Sequence, residues 1–371
     1  MACRYLIAAS IIWLAHGAAG CEQRAPAPIV GPEFDLPYLP LRLITAEQRE
    51  LFDEGDLLFE TTMRPADGLG PHFIQKACAS CHRDDGRGPG IVPKTMPNKQ
   101  VTNRLPPAVF GRGYIEAVAD REIERMEALA RARTNSIKGR VHRVRYLAEV
   151  NSDQRYHQHE PRAAHATLFG RFGVKARIAT LDEFTADALQ NDMGLTSPLR
   201  PTEVADNADF KEDGKPGLDV TVARVNALAD YARLLEIPPR VPPSSEAEAL
   251  FTQSLCSSCH APTLQTRQDY PIKALAGIDA PVFTDLLLHD MGRAMSDGMQ
   301  EGDAGPQDFR TTPLIGLRFY PAFMHDGRAR TVAAAIDAHG AADSEARDSV
   351  NSFRTLTPAQ QAILIRYVES L

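Results

Sequence analysis

Two short stretches hold most of the residues able to do chemistry. "KACASCH" sets Cys78 and Cys81 three apart with His82 directly after, and "LCSSCH" repeats the arrangement with Cys256, Cys259 and His260. Four thiols could form disulfides or hold zinc, but neither use explains a histidine after each pair. Covalent haem attachment does: the thiols add across the porphyrin vinyl groups and the adjacent imidazole binds the iron. The spacing therefore predicts two covalently bound haem c groups with His82 and His260 as iron ligands. The remaining cysteines, Cys3 and Cys21, lie near the N-terminus.

The elements around the motifs repeat too. Thr45 with Gln48, and Ser245 with Glu248, read as capping boxes that each open a helix ahead of a motif. Each motif is followed by a loop-rich stretch and a closing amphipathic helix. The first places Val222, Val225, Leu228, Ala229, Ala232 and Leu235 on one face; the second starts at Thr357 and Pro358 and turns Ile363, Leu364, Tyr367, Val368 and Leu371 inward. Strand-like alternation is scarce, so the expected fold is all-α. It comprises two class I cytochrome c-like domains, 43–238 and 244–371, joined through "EIPPRVPPSS". The first carries a long insertion from about 115 to 165 that opens as one charged helix, "IEAVADREIERMEALARAR". A third helix, beginning near Thr331, brings Val332, Ala335, Ile336 and His339 onto one face and ends at Gly340.

The first 20 residues carry one charge, Arg4, then the apolar run "YLIAASIIWLA" and small residues before Cys21. This predicts a secretory signal of lipoprotein type, with Cys21 as the lipid site and a Pro-rich tether over 21–42, the alternative being a plain secretory signal cut near the same place. The expected location is the periplasm, anchored to a membrane by lipid. The 371 residues carry 41 basic and 48 acidic side chains, a net charge of −7 that cleavage would take to about −8. That excess argues against nucleic acid and favours a redox partner with a basic docking face, such as a small cytochrome c.

Beyond the motifs, "DGLGPHFIQKACASCHRDDGRG", "RLPPAVFGRGYIEAV", "GRFGVKARIATLDEFTADALQNDMGLTSP", "DLLLHDMG", "FRTTPLIGL" and "MHDGRARTVAAAIDAHG" carry a resemblance. From about residue 45 to the C-terminus the chain resembles the di-haem c oxidoreductases related to bacterial di-haem cytochrome c peroxidases and MauG, in the branch described as thiol oxidoreductases. The resemblance implies a peroxidatic N-terminal haem with an open or displaceable sixth position, and a six-coordinate C-terminal haem that stores an electron. The distal acid, which would carry a proton between the two oxygens of hydrogen peroxide, aligns with Glu183, Asp182 being the near alternative. Pro107 matches a proline lining that pocket. Arg310, His325 and Arg328 fall where haem propionates should lie, and guanidinium pairs carboxylates well. Arg171 and Lys175 could hold propionates or orient peroxide, and His157 or His159, near His165, could cap the first haem. His339 stands where relatives place methionine or tyrosine, which implies a bis-imidazole second haem of low potential; a core histidine bonded to a carbonyl is its plain reading.

Three departures qualify the resemblance. Relatives carry a tryptophan between the haems, whereas the one tryptophan here is Trp13; a relay would need Phe110, Tyr114 or direct tunnelling. Tyr320 and Ala322 replace residues that hold calcium in relatives, which leaves calcium in doubt, and Phe184 replaces a glutamine. The reading is a peroxidase that takes electrons through the second haem. A MauG-like oxidase acting on a partner protein and a non-catalytic electron-transfer cytochrome are the alternatives.

Overall fold

The computed structural model describes residues 38–83, 92–95, 101–145, 167–203 and 215–371. The signal, Cys21, most of the tether, His157, His159 and His165 lie outside the described residues. Helix α1 (Ala46–Glu60) starts on the expected Thr45–Gln48 capping box, and the single turn α2 (Cys78–Cys81) carries the first cysteine pair. Strands β1 (Val92–Thr95) and β2 (Val101–Arg104) pair antiparallel. The expected charged helix is in fact two, α3 (Arg112–Ala117) and α4 (Asp120–Ala132). The break has a cause: the buried Arg171 guanidinium donates to the carbonyls of Ile115, Glu116 and Val118, which supplies the partners that helix-terminal carbonyls lack.

Strands β3 (Arg143–Arg145) and β4 (Thr167–Phe169) form a second ribbon, followed by α5 (Leu181–Met193) and α6 (Val222–Leu234). Across the proline-rich link, α7 (Ser245–Gln253) is capped by Ser244, one residue before the expected cap. A 3-10 turn, Cys256–Ser258, carries the second motif. Two more ribbons follow, β5 (Leu264–Gln265) with β6 (Asp279–Ala280) and β7 (Leu288–Asp290) with β8 (Asp308–Arg310). The chain closes with α8 (Val332–Ala338), α9 (Arg347–Thr355) and α10 (Pro358–Glu369), the last on a Thr357–Gln360 capping box with Pro358 in its first turn.

The all-α expectation is therefore corrected: the described residues hold four two-stranded antiparallel sheets among the helices. Their strands run two to four residues, too short to print the alternation by which a strand is read from sequence. They arise because long loops crossing the interior must pair their backbone N–H and C=O groups with something.

The largest apolar cluster joins Ile115, Ile123, Leu181 and Leu228 to Leu264, Tyr270, Ile272, Leu275 and Leu287. Residues from both sides of the proline-rich link thus share one interior. A second cluster gathers Leu250, Phe251, Phe283, Leu364 and Tyr367, with Cys256 at its margin. Tyr320 packs against both.

Candidate functional site

The first motif opens onto a small cleft of about 120 Å³. One face of α5 lines it with Leu181, Phe184, Thr185, Ala188, Leu189 and Asp192, opposite Cys78, Cys81, His82, Pro107 and Arg112. Burial, then the Arg112 charge, pushes His82 down to about 4, while the Pro107 carbonyl opposes the shift. The ring is therefore neutral at pH 7. Among the described residues its buried Nδ1 has no hydrogen-bond partner, so the imidazole has a nitrogen to spare for a metal. Burial also pushes the Cys78 thiol up to about 12. Met193 supplies a thioether to the same lining, a donor the sequence reading missed.

At the second motif the histidine is held by the backbone. His260 Nδ1 lies 3.1 Å from the Phe283 carbonyl, which can only accept, so Nδ1 carries the proton and the lone pair sits on Nε2. His339 is fixed the same way, Nδ1 lying 2.6 Å from the Ala335 carbonyl one turn back in α8. The plain reading, a histidine bonded to a carbonyl, is thus met, and it is also how a ligating histidine is oriented. Both rings have lowered pKa values, His260 reaching about 4 through burial and then the nearby His339. Two neutral imidazoles with available Nε2 lone pairs therefore neighbour each other. Cys256, also pushed up to about 12 by burial, flanks them; among the described residues no disulfide joins the four motif cysteines.

The fit to a dianionic macrocycle is tested best by the arginines. Arg112 and Arg310 are both about 6% exposed, yet among the described residues neither forms an ion pair. Arg112 Nε donates to the Ala108 carbonyl at 2.6 Å and its guanidinium bonds Tyr320; Arg310 donates to the carbonyls of Gly173 and Thr311. Burial, and then Arg112, push Arg310 down to about 9. Two guanidiniums buried near each other call for anions, and haem propionates would supply them. The residues fit the group. Arg310 is a residue the sequence singled out for that role; Arg112 is not.

The other expected residues fall as follows. Pro107 lines the cleft. His325 is buried and stacks on Phe309 at 4.4 Å. Arg328, 39% exposed, pairs with Asp326 and the Ala294 carbonyl at the surface. Glu183 does not line the cleft: Arg200 Nη2 meets its Oε1 at 3.0 Å on another face of α5. Asp182 is buried against Arg233. Lys175 is enclosed by the carbonyls of Gly305 and Asp308 and the ring of Phe309, and Arg171 serves the α3 terminus, so both act within the scaffold. Phe110 packs edge-on to Phe319, and Tyr114 donates to Glu236.

No curated protein matches the chain. Among solved structures it is similar to hydrazine synthase from Kuenenia stuttgartiensis, at 15% identity over 99% of this chain and 100% of that one, with a TM-score of 0.45. A MauG-like protein associated with microbial copper homeostasis is similar at 15% identity over 90% of this chain and 93% of that one, with a TM-score of 0.43. The family described as "Di-haem oxidoreductase, putative peroxidase" matches residues 98–371, from just after the first motif to the last residue. With paired histidines at one motif, a histidine-bearing cleft at the other, two arginines buried near each other and a family match over most of its length, the chain belongs to the di-haem oxidoreductase family.

Proposed function

We propose that this protein is a periplasmic di-haem c peroxidase, with haem joined covalently through Cys78 and Cys81 at the first site and through Cys256 and Cys259 at the second. The observation that carries the reading is the asymmetry of the two sites. His260 has a second imidazole, His339, beside it, whereas His82 faces a cleft whose walls leave room for a small ligand. Bound haem would supply the redox chemistry, the reduction of hydrogen peroxide by two electrons and two protons to water. The chain supplies the rest. The carbonyls of Phe283 and Ala335 hold His260 and His339 in the tautomer that can bind iron. Arg112 and Arg310 would neutralise propionates, and the apolar face of α5 limits water around the first site.

Moving a proton between the peroxide oxygens needs a carboxylate at that cleft. Asp192 lines it, and Glu183, the residue the resemblance implies, stands behind it with Arg200. Electrons would arrive from a small basic redox protein, attracted by the acidic surface. The signal and Cys21 would place the protein on a membrane through lipid.

The test is spectroscopic. The purified protein should show a high-spin component that responds to peroxide, and a variant with both Cys78→Ala and Cys81→Ala should keep half the pyridine haemochrome absorbance and lose turnover. Two low-spin haems inert to peroxide would make it an electron carrier instead.

A further inference from the structure

His289, on β7, is 3% exposed and has a carboxylate at each ring nitrogen. Nε2 lies 3.0 Å from Asp285 Oδ2, and Nδ1 lies 2.8 Å from Glu345 Oε2. The Cys259 sulfur is 3.8 Å from the same Nδ1. Both carboxylates already accept from the backbone, Asp285 from the Leu287 N–H and Glu345 from the N–H groups of Lys138 and Gly139, and against the cost of burial the His289 ring and those two bonds hold Glu345 below the usual carboxylate range. A neutral imidazole can donate from only one nitrogen. Set between two acceptors, the ring donates from both and carries a positive charge. With both nitrogens protonated the ring offers no lone pair to a metal. The ring cannot swing away either: a Cβ on Gly139 would stand 2.5 Å from its Cε1, which shows how closely that backbone packs on it.

We infer that His289 is a positioning residue for the second haem, a doubly protonated ring fixed between Asp285 and Glu345 that holds a positive charge against the Cys259 sulfur and raises the reduction potential of the iron bound by His260. This rests on the proposed attachment of haem at Cys256 and Cys259. A positive charge nearby favours the ferrous state because the iron then carries one positive charge fewer, and little solvent intervenes to screen it. The remaining charges at hand are Asp285, Glu345 and, within the field of Asp285, Arg310.

The experiment is a spectroelectrochemical titration of the full-length, haem-loaded protein, with haemochrome assay for haem content. His289→Gln should lower the second midpoint, and Glu345→Gln should raise it. Each should change the ferrous-to-ferric ratio at fixed potential on the order of tenfold, the size of effect a unit charge exerts through a protein interior. Opposite signs are the signature of charge, since a merely structural role would move both variants the same way or neither. Shifts of the same sign, or none, overturn the inference. If His289→Gln does not fold, Glu345→Gln decides alone, and a midpoint that fails to rise overturns it. A wild-type protein lacking haem at the second motif removes the underlying reading and the inference with it, and the haemochrome assay tells that failure from the others.

Discussion

Arg200 Nη2 sits 3.0 Å from Glu183 Oε1, on a different side of α5 from the residues that line the first cleft. Residues 181, 184, 185, 188, 189 and 192 of α5 form the cleft-facing stripe, so Asp192 is the carboxylate that reaches it. Asp192→Asn should slow peroxide cleavage by a factor on the order of a hundred, the usual worth of a positioned acid and base. Glu183→Gln should change it less than about threefold. Stopped-flow reaction with peroxide measures both, and the reverse ordering would return the role to Glu183.

Arg233 is fully buried between Glu116, Asp182 and Asp230, and Tyr270, from the other side of the proline-rich link, donates to Glu116 at 2.8 Å. Arg233→Met would strand buried carboxylates and should cost about 3–5 kcal/mol. Tyr270→Phe removes a single hydrogen bond and should cost about 1 kcal/mol, or somewhat more if Glu116 is left short of a donor. Denaturant midpoints give both values. Equal costs would mean that Arg233 is not the centre of the network.

His339→Met exchanges an imidazole for a thioether beside His260. It should raise the second haem's potential and add the long-wavelength charge-transfer band of sulfur-bound ferric iron. An unchanged spectrum and potential would leave His339 as a core residue.

Burial is the main reason that His325 falls from an ordinary 6.5 to about 4, outweighing the pull of Asp326. Because the folded value is depressed, the unfolded chain binds this proton first. The stability that neutral His325 contributes is thus complete above about pH 6.5 and lost as the pH falls toward 4. His325→Phe, which keeps the stack on Phe309, should flatten the fall in melting temperature over that window. A slope identical to wild type would remove His325 from the acid response.

Some of this was legible in the sequence because it is local. Thr45 and Thr357 open helices through bonds to residues three positions on, and most of the inward face of α10 follows from helical period, whereas α6 is buried on every side from Ala227 to Leu234, which no one-face pattern foretells. The two Cys-x-x-Cys-His stretches needed only adjacency. What was missed depends on distant partners. The break between α3 and α4 is made by Arg171, more than 50 residues away, and Arg112 reads as an ordinary helix-start arginine until it is seen to form no ion pair among the described residues. Asp192 and Met193 became visible only once α5 had a cleft to face. The short ribbons were invisible because two to four residues carry no period.

The shared interior has a consequence for how the protein can be taken apart. Leu264, Tyr270, Ile272 and Leu275 close over Ile115 and Ile123, so a cut at the proline-rich link would leave each fragment with an uncovered apolar face. Neither half is then a free-standing module. Calorimetry of the intact chain should record one cooperative melting event rather than two, and the separately expressed halves should be recovered soluble only when they are produced together.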